Sequence, residues 1–346
     1  MKKKIILAIA IIAFGLAAFF GSRWYMDNKI SNFRKSAVLF VYPDTAADTL
    51  LARIVSLADV KSIASLRRQF AKHEVPLKLK PGRYEIDKSM SSAYLARSLV
   101  FGWQKPTKLV LSGSLRLRGQ IAKKISSQMM VDSSTVRKAM EDKDLLSKFG
   151  FTPENVFALF MPDTYDMWWT ASIQDILEKQ KKAYDAFWNK ERLAKAESLN
   201  LTPLQVSILA SIVNQESYRE DEFPLVASVY INRMRRGMRL QACPTVMFLY
   251  DYTLDRLLFS HIRSTKTSPY NTYIHEGLPP APICVPSKAA LDAVLNPSQE
   301  AYLYFCADAS FNGRNVFARS YSEHVKNARA YQKALDLRQK EKRAAK

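Results

Sequence analysis

The segment Leu209-Ala-Ser-Ile-Val-Asn-Gln-Glu-Ser217 puts an acid in an unusual place. On helical spacing Leu209, Ile212, Val213 and Glu216 share one face, so a carboxylate ends an apolar stripe instead of lying on the wet side. Desolvation by the stripe raises its pKa. A position in the last helical turn acts in the same direction, because the helix dipole there opposes negative charge. A carboxyl kept protonated near neutrality is what a general acid needs to protonate a glycosidic oxygen. The same spacing also suits a structural glutamate that reaches solvent or pairs with Arg219 or Arg233.

A second chemical signal is the loop Ser268-Pro-Tyr-Asn-Thr-Tyr273 with Gly277-Leu-Pro-Pro280. Tyrosine faces stack on sugar rings, Asn and Thr bond to hydroxyls and acetamides, and the prolines limit the entropy lost on binding. An ordered structural loop has the same composition. Other chemistry finds less support. His73, His261, His275 and His324 lack metal-ligand spacing, and no cofactor is called for. Cys243, Cys284 and Cys306 form no C-x-x-C, and fit one disulfide plus a free thiol or three buried small hydrophobes. Ser217 has no nucleophile-elbow setting, and no glycine-rich loop could cradle phosphate. Glu220-Asp221-Glu222 reads as the acidic opening of the next helix, on its polar side.

The elements that must carry these residues come from 346 residues, 48% hydrophobic and 24% charged, enough for a packed core in about two domains. A formal charge of +20 suits an anionic partner. Met1-Lys2-Lys3-Lys4 precedes a charge-free run from Ile5 to Ser22, closed by Arg23 and the aromatic pair Trp24-Tyr25. This predicts a cytoplasmic tail (1–4), a transmembrane anchor (5–22) and export of the rest. A cleaved signal peptide is the rival reading. Export, with no nucleic-acid motif beside the charge, excludes nucleic acid as the partner.

Beyond the anchor, 23–36 reads as a stalk. Strand–helix–helix–strand–helix patterning follows from Ala37 to about Lys105-Pro106. Thr107–Leu111 opens a second region, with helices at 117–129, 133–141, 175–197, 204–217 and 224–235. A long loop covers 265–286, strands lie at 302–307 and 316–319, and a basic helix starts at Ser322. Strands and helices do not alternate regularly, so the fold class is α+β.

Taken in order, Phe160-Met-Pro-Asp-Thr-Tyr165, Ala210-Ser-Ile-Val-Asn-Gln-Glu216, Val229-Tyr-Ile-Asn-Arg-Met234, Gly237-Met-Arg-Leu-Gln241, Pro244-Thr-Val246, Ser268–Tyr273, Gly277–Pro280 and Glu323-His324 resemble the MltG/YceG-like endolytic murein transglycosylases. The resemblance covers roughly 155–331. More weakly, Leu79-Lys-Pro-Gly-Arg-Tyr84 extends it to an N-terminal LysM-like module. The implied layout is a LysM-like module at 37–106, a catalytic domain at 107–331 and a basic tail at 332–346. The sequence departs from the family's pattern at Asn214-Gln215, where the family reads Glu-Lys, and at Cys243, Ala281 and Asn315.

The implied protein is a lytic transglycosylase, anchored in the inner membrane with its catalytic domain outside. It would cut the MurNAc-β-1,4-GlcNAc bond of peptidoglycan strands and leave 1,6-anhydro ends. Glu216 would act as acid then base, and Gln241, Tyr270, Asn271 and Tyr273 would bind substrate. Cell-wall synthases are candidate partners. A muramidase, with Asp163 as the candidate second acid, and a non-catalytic peptidoglycan-binding scaffold remain the alternatives.

Overall fold

The computed structural model describes residues 2–344, and side chains as far as residue 341. Met1 and residues 345–346, the extremes of the two expected tails, lie outside the described residues. The described chain forms two compact units. The first comprises residues up to Leu109 together with Gln128–Val131 and Tyr165–Ala171, and the second holds the remainder.

The first unit begins with the helix Lys2–Asn28, of mean hydropathy 2.5 over its most apolar stretch. Among the described residues this is the one helix long and apolar enough to cross a membrane. Its far end is anchored: Asp27 is buried and accepts from Arg68 Nη2 (2.6 Å), Arg68 Nε (3.0 Å), Ser65 Oγ (2.5 Å) and Gln69 Nε2 (3.1 Å). The stretch 23–36, expected as a stalk, is mostly exposed but is tied into the unit at three buried residues, Asp27, Asn32 and Phe33. Its first part continues the helix. Asn32 and Phe33 are buried, with Asn32 Nδ2 donating to Ser62 O (2.9 Å) and Ser92 Oγ (2.8 Å) and Phe33 bridging to Val60. Asp27 and Asn32 serve as partners inside the unit, while Lys29, Arg34, Lys35 and Ser36 remain exposed.

Strands Ala37–Val41 and Gly82–Ile86 pair antiparallel, with Leu39 opposite Tyr84. Alternation turns Leu39, Val41, Tyr84 and Ile86 inward, onto Leu50 and Ile54 from one helix, Leu66 and Phe70 from a second, and Leu95 and Leu99 from a third. A later stretch of chain joins this unit through Trp169, whose ring lies 4.9 Å from that of Phe40 and 5.0 Å from that of Tyr42. Three separate stretches therefore build the unit, where the sequence suggests one.

The second unit is organised around the helix Pro203–Glu216, packed against Phe223–Arg235 and Lys288–Leu295. Thr202 and Gln205 form a reciprocal capping box and Pro203 occupies the first turn, so the start of the helix is strongly specified. Every residue from Val206 to Val213 is buried. The apolar stripe expected from spacing is thus an enclosed core helix. Ser207 and Ser211 fit because their hydroxyls donate back to the carbonyls of Pro203 (3.0 Å) and Ile208 (2.7 Å).

The expected long helix 175–197 is two helices, Ile173–Phe187 and Lys190–Ser198. Trp188 leaves helical geometry, and Asn189 re-caps the chain by accepting from Arg192 N. The strand Asp163–Met167, not anticipated from the sequence, pairs with Thr107–Leu111. Strands Tyr304–Ala307 and Asn315–Ala318 form an antiparallel pair, followed by the helix Tyr321–Ala344.

Candidate active site

Glu216 stands in the last turn of the core helix, directly before Ser217 turns to extended geometry. The residue is half-buried, and its carboxyl lies deep among protein atoms. Burial raises its pKa to about 7, against the opposing effects of a hydrogen bond from Tyr230 and the positive charge of Arg233. Tyr230 Oη donates to Glu216 Oε1 at 2.6 Å. Burial, with the neighbouring Glu216 second, holds the Tyr230 phenol well above its ordinary value, so it remains a donor.

Arg233 lies three residues after Tyr230, on the same helix face. It is buried, and among the described residues no ion pair engages it. Its Nε donates to Leu303 O (2.6 Å), its Nη1 donates to Leu240 O (2.8 Å) and Gln241 Oε1 (3.4 Å), and its guanidinium lies 5.0 Å from the Tyr304 ring. Arg219 pairs with Asp221. Neither arginine forms an ion pair with Glu216, so the alternative of a salt-bridged structural glutamate is set aside.

The structure brings two of the expected binding residues to this group. Burial raises the Tyr273 phenol, with Cys243 next, whose Sγ lies 3.0 Å from its Oη, and the charge of Glu216 acting in the same direction after them. Gln241, at φ 53°, places its backbone N–H on Thr272 O (3.0 Å) and its side chain beside Arg233. Asn271 is fully buried. Its Nδ2 donates to Ile262 O (2.8 Å) and Thr265 Oγ1 (3.0 Å), and its Oδ1 accepts from Tyr273 N (3.1 Å), so both ends of the amide build the loop. Tyr270 packs against Phe248 (5.0 Å) and lines a separate cavity with Arg118 and Phe157.

The loop is tied to the core helix at several points. Ile283 N donates to Ser211 Oγ (3.0 Å), and Ser287 N donates to Asn214 Oδ1 (3.1 Å). Asn214, one of the departures from the family's pattern, thereby acts as a backbone anchor.

Two features were missed at the sequence level. Tyr230 could have been found, since a tyrosine and an arginine three residues apart share a helix face. Glu222 carried no such signal. Read as a solvated acid, it is 2% exposed, and it accepts from Ser217 Oγ (3.0 Å), Asn315 Nδ2 (2.8 Å) and Asn315 N (2.9 Å). It thus fixes the residue after Glu216 to a strand far along the chain, and the polar-side reading of this acid is corrected.

On another side of the helix end lies a cleft of about 470 Å³, lined by Asn214, Gln215, Ser217, Tyr218, Arg116 and Asp163 among others. Tyr218 is fully exposed. Asp163 is paired with Lys288, which holds its pKa below the usual carboxylate value.

The model of the YceG-like family matches residues 41–330, and the chain belongs to that family. It is 26% identical over 323 residues to an endolytic murein transglycosylase of Bacillus subtilis (strain 168), covering 86% of this chain and 85% of that one. An endolytic murein transglycosylase of Streptococcus pneumoniae (serotype 2, strain D39) is 24% identical over 75% of this chain, which spans 52% of the pneumococcal protein. The crystal structure of a yceG-like protein from Listeria monocytogenes superposes with a TM-score of 0.57 at 24% identity, covering 85% of this chain and 99% of that one. The fold is therefore the mixed helix–strand YceG-like fold, with an apolar N-terminal helix.

Two measurements probe this geometry. The Tyr230 bond favours the charged form of Glu216, so Tyr230→Phe should move the Glu216 midpoint further up, by about 0.5–1 unit; carboxyl-carbon NMR titration reads this directly. Glu222→Gln should lower folding stability by about 1–3 kcal/mol, because an NH₂ group then faces a hydrogen-bond donor. The exposed Glu220→Gln should stay within about 0.5 kcal/mol, both read by denaturant melts.

Proposed function

We propose that this chain is a membrane-anchored endolytic lytic transglycosylase, which cuts the MurNAc-β-1,4-GlcNAc bond of peptidoglycan strands and leaves 1,6-anhydroMurNAc ends. The observation that carries the reading is a glutamic acid whose pKa lies near 7, bonded by Tyr230 on one oxygen. With Oε1 occupied by Tyr230, Oε2 is the oxygen left to carry the proton. Glu216 gives that proton to the leaving glycosidic oxygen. The resulting carboxylate, stabilised by Tyr230 and the nearby charge of Arg233, takes a proton from the muramyl C6 hydroxyl as that hydroxyl closes on C1. No water is consumed. The names of the Bacillus and Streptococcus relatives agree with this activity.

Hydrolysing glycosidases generally need a second carboxylate as base or nucleophile. Asp163, in the cleft beside Asn214 and Gln215, is the observation that keeps a muramidase as the second reading. Its engagement with Lys288 favours the intramolecular route.

In this reading residues 5–22 span the inner membrane, Lys2–Lys4 remain cytoplasmic and both units lie outside. The unbroken helix from the apolar run to the locked Asp27 supports a retained anchor. The 37–106 region would hold glycan in the manner of a LysM-like module, the 107–331 region would catalyse, and 332–346 would be a basic tail. Gln241 and Tyr273 would contact the sugar at the acid. Asn271 would act by shaping their loop, and Tyr270 would contribute from its own cavity.

The test is digestion of purified glycan strands with product masses read out. Wild-type protein should release anhydro-muramyl products, one water lighter than reducing ends. Glu216→Gln keeps size and hydrogen bonding, and should lose at least about 10²–10⁴-fold in rate. Near-normal release by Glu216→Gln, or reducing ends from the wild type, would contradict the assignment.

A further inference from the structure

The cleft beside Glu216 contains a cation that the catalytic step does not use. Arg116 lines it together with Gln215 and Ser217, the two neighbours of Glu216 in the chain. Its guanidinium carbon lies 4.9 Å from the centre of the Tyr252 ring, and its Nε is buried with no hydrogen-bond partner. Among the described residues no ion pair engages Arg116; of the two carboxylates lining the same cleft, Asp163 is held by Lys288 and Glu220 is exposed to solvent.

The Arg116 backbone and the ring its guanidinium stacks on are also held in place. Arg116 N donates to Gln120 Oε1 (2.8 Å), the preceding Leu115 accepts from Val285 N (2.9 Å), and Tyr252 Oη donates to Ile283 O (2.8 Å). A stacked arginine has its face covered and its donor edge available, which is the geometry for taking a carboxylate in two parallel bonds. Much of the ordering cost of such a contact has already been met. At the same cleft the wholly exposed Tyr218 offers an aromatic face to a sugar ring.

The two sugars of a glycan strand differ in a way this cation can read. The glucosaminyl ring bears no acid. The muramyl ring carries a lactyl ether that ends either in a free carboxylate or in a peptide with carboxylates of its own. We propose that Arg116 binds a carboxylate borne on the muramyl substituent, and so sets the register in which the strand lies across Glu216. This rests on the glycan-cleaving reading above, and adds to it the substrate group that chooses between the two kinds of glycosidic bond.

The test uses the full anchored chain in detergent and three strands of equal length. One carries its peptides, one is stripped of peptide to leave the lactyl carboxylate, and one carries peptides with every carboxylate amidated. The wild type should favour at least one carboxylate-bearing strand over the amidated strand by about 10- to 100-fold in kcat/KM. The strand that keeps the preference identifies which carboxylate is read. Arg116→Ala should bring that ratio close to one, while Arg116→Lys, lacking the planar fork, should retain only part of it. A wild-type chain that cuts all three strands alike overturns this proposal alone, without need of any variant. So does an Arg116→Ala protein that keeps the wild-type ratio. A wild-type chain that cuts none of the three overturns the underlying activity, and this proposal with it.

Discussion

The structure of the second unit turns on the cost of ending a buried helix with an acid. A carboxylate taken out of water loses solvation that few protein contacts restore, so the group either finds a full set of partners or stays protonated. At Glu216 the surroundings supply one strong donor, Tyr230, and one charge, Arg233, whose own hydrogen bonds go mainly to backbone carbonyls. That is too little to keep the group ionised well below neutrality, and enough to hold it in one orientation. The partial compensation fits a group that must lose a proton and regain it.

The rest of the site follows from holding that helix end still. Polar residues on the helix are used as anchors, not as solvating groups: Ser211 receives Ile283 N, and Asn214 receives Ser287 N. The loop so fixed runs back through Thr272, which bonds both Gln241 N and Ala242 N, to Tyr273 beside the acid. Glu222 fastens the chain just after Glu216 to Asn315. Loop, strand and helix end are therefore one connected hydrogen-bonded arrangement, although they come from distant parts of the chain.

Much of this was legible in the sequence, and the failures have identifiable causes. The core helix announced itself by its apolar content. Its acid stood out because it broke the polar–apolar pattern. Spacing could not tell an apolar stripe from complete enclosure, since the buried serines satisfy themselves locally. Asn271 had the right chemistry for a sugar. An Asn two residues before a bonded N–H is also the signature of an Asx turn, and that is the use the loop makes of it. Glu222 was unreadable because its partner Asn315 lies far away in sequence. The polar segment around Asn32 misled for a related reason: its amide meets Ser62 and Ser92 inside the first unit. Long-range polar pairing, unlike hydrophobic periodicity, leaves no local trace.

The central claim is that a neutral Glu216 delivers the first proton. The most direct test is the pH dependence of kcat/KM for the wild-type chain on glycan strands, which reports the protonation state of the free enzyme. An acid with a pKa near 7 is protonated below that value, so kcat/KM should hold on the acid side and fall as pH rises through about 7, tenfold per unit beyond it. A fall centred in the ordinary glutamate range, about 4.3, would contradict the account. So would activity that persists undiminished well above neutrality.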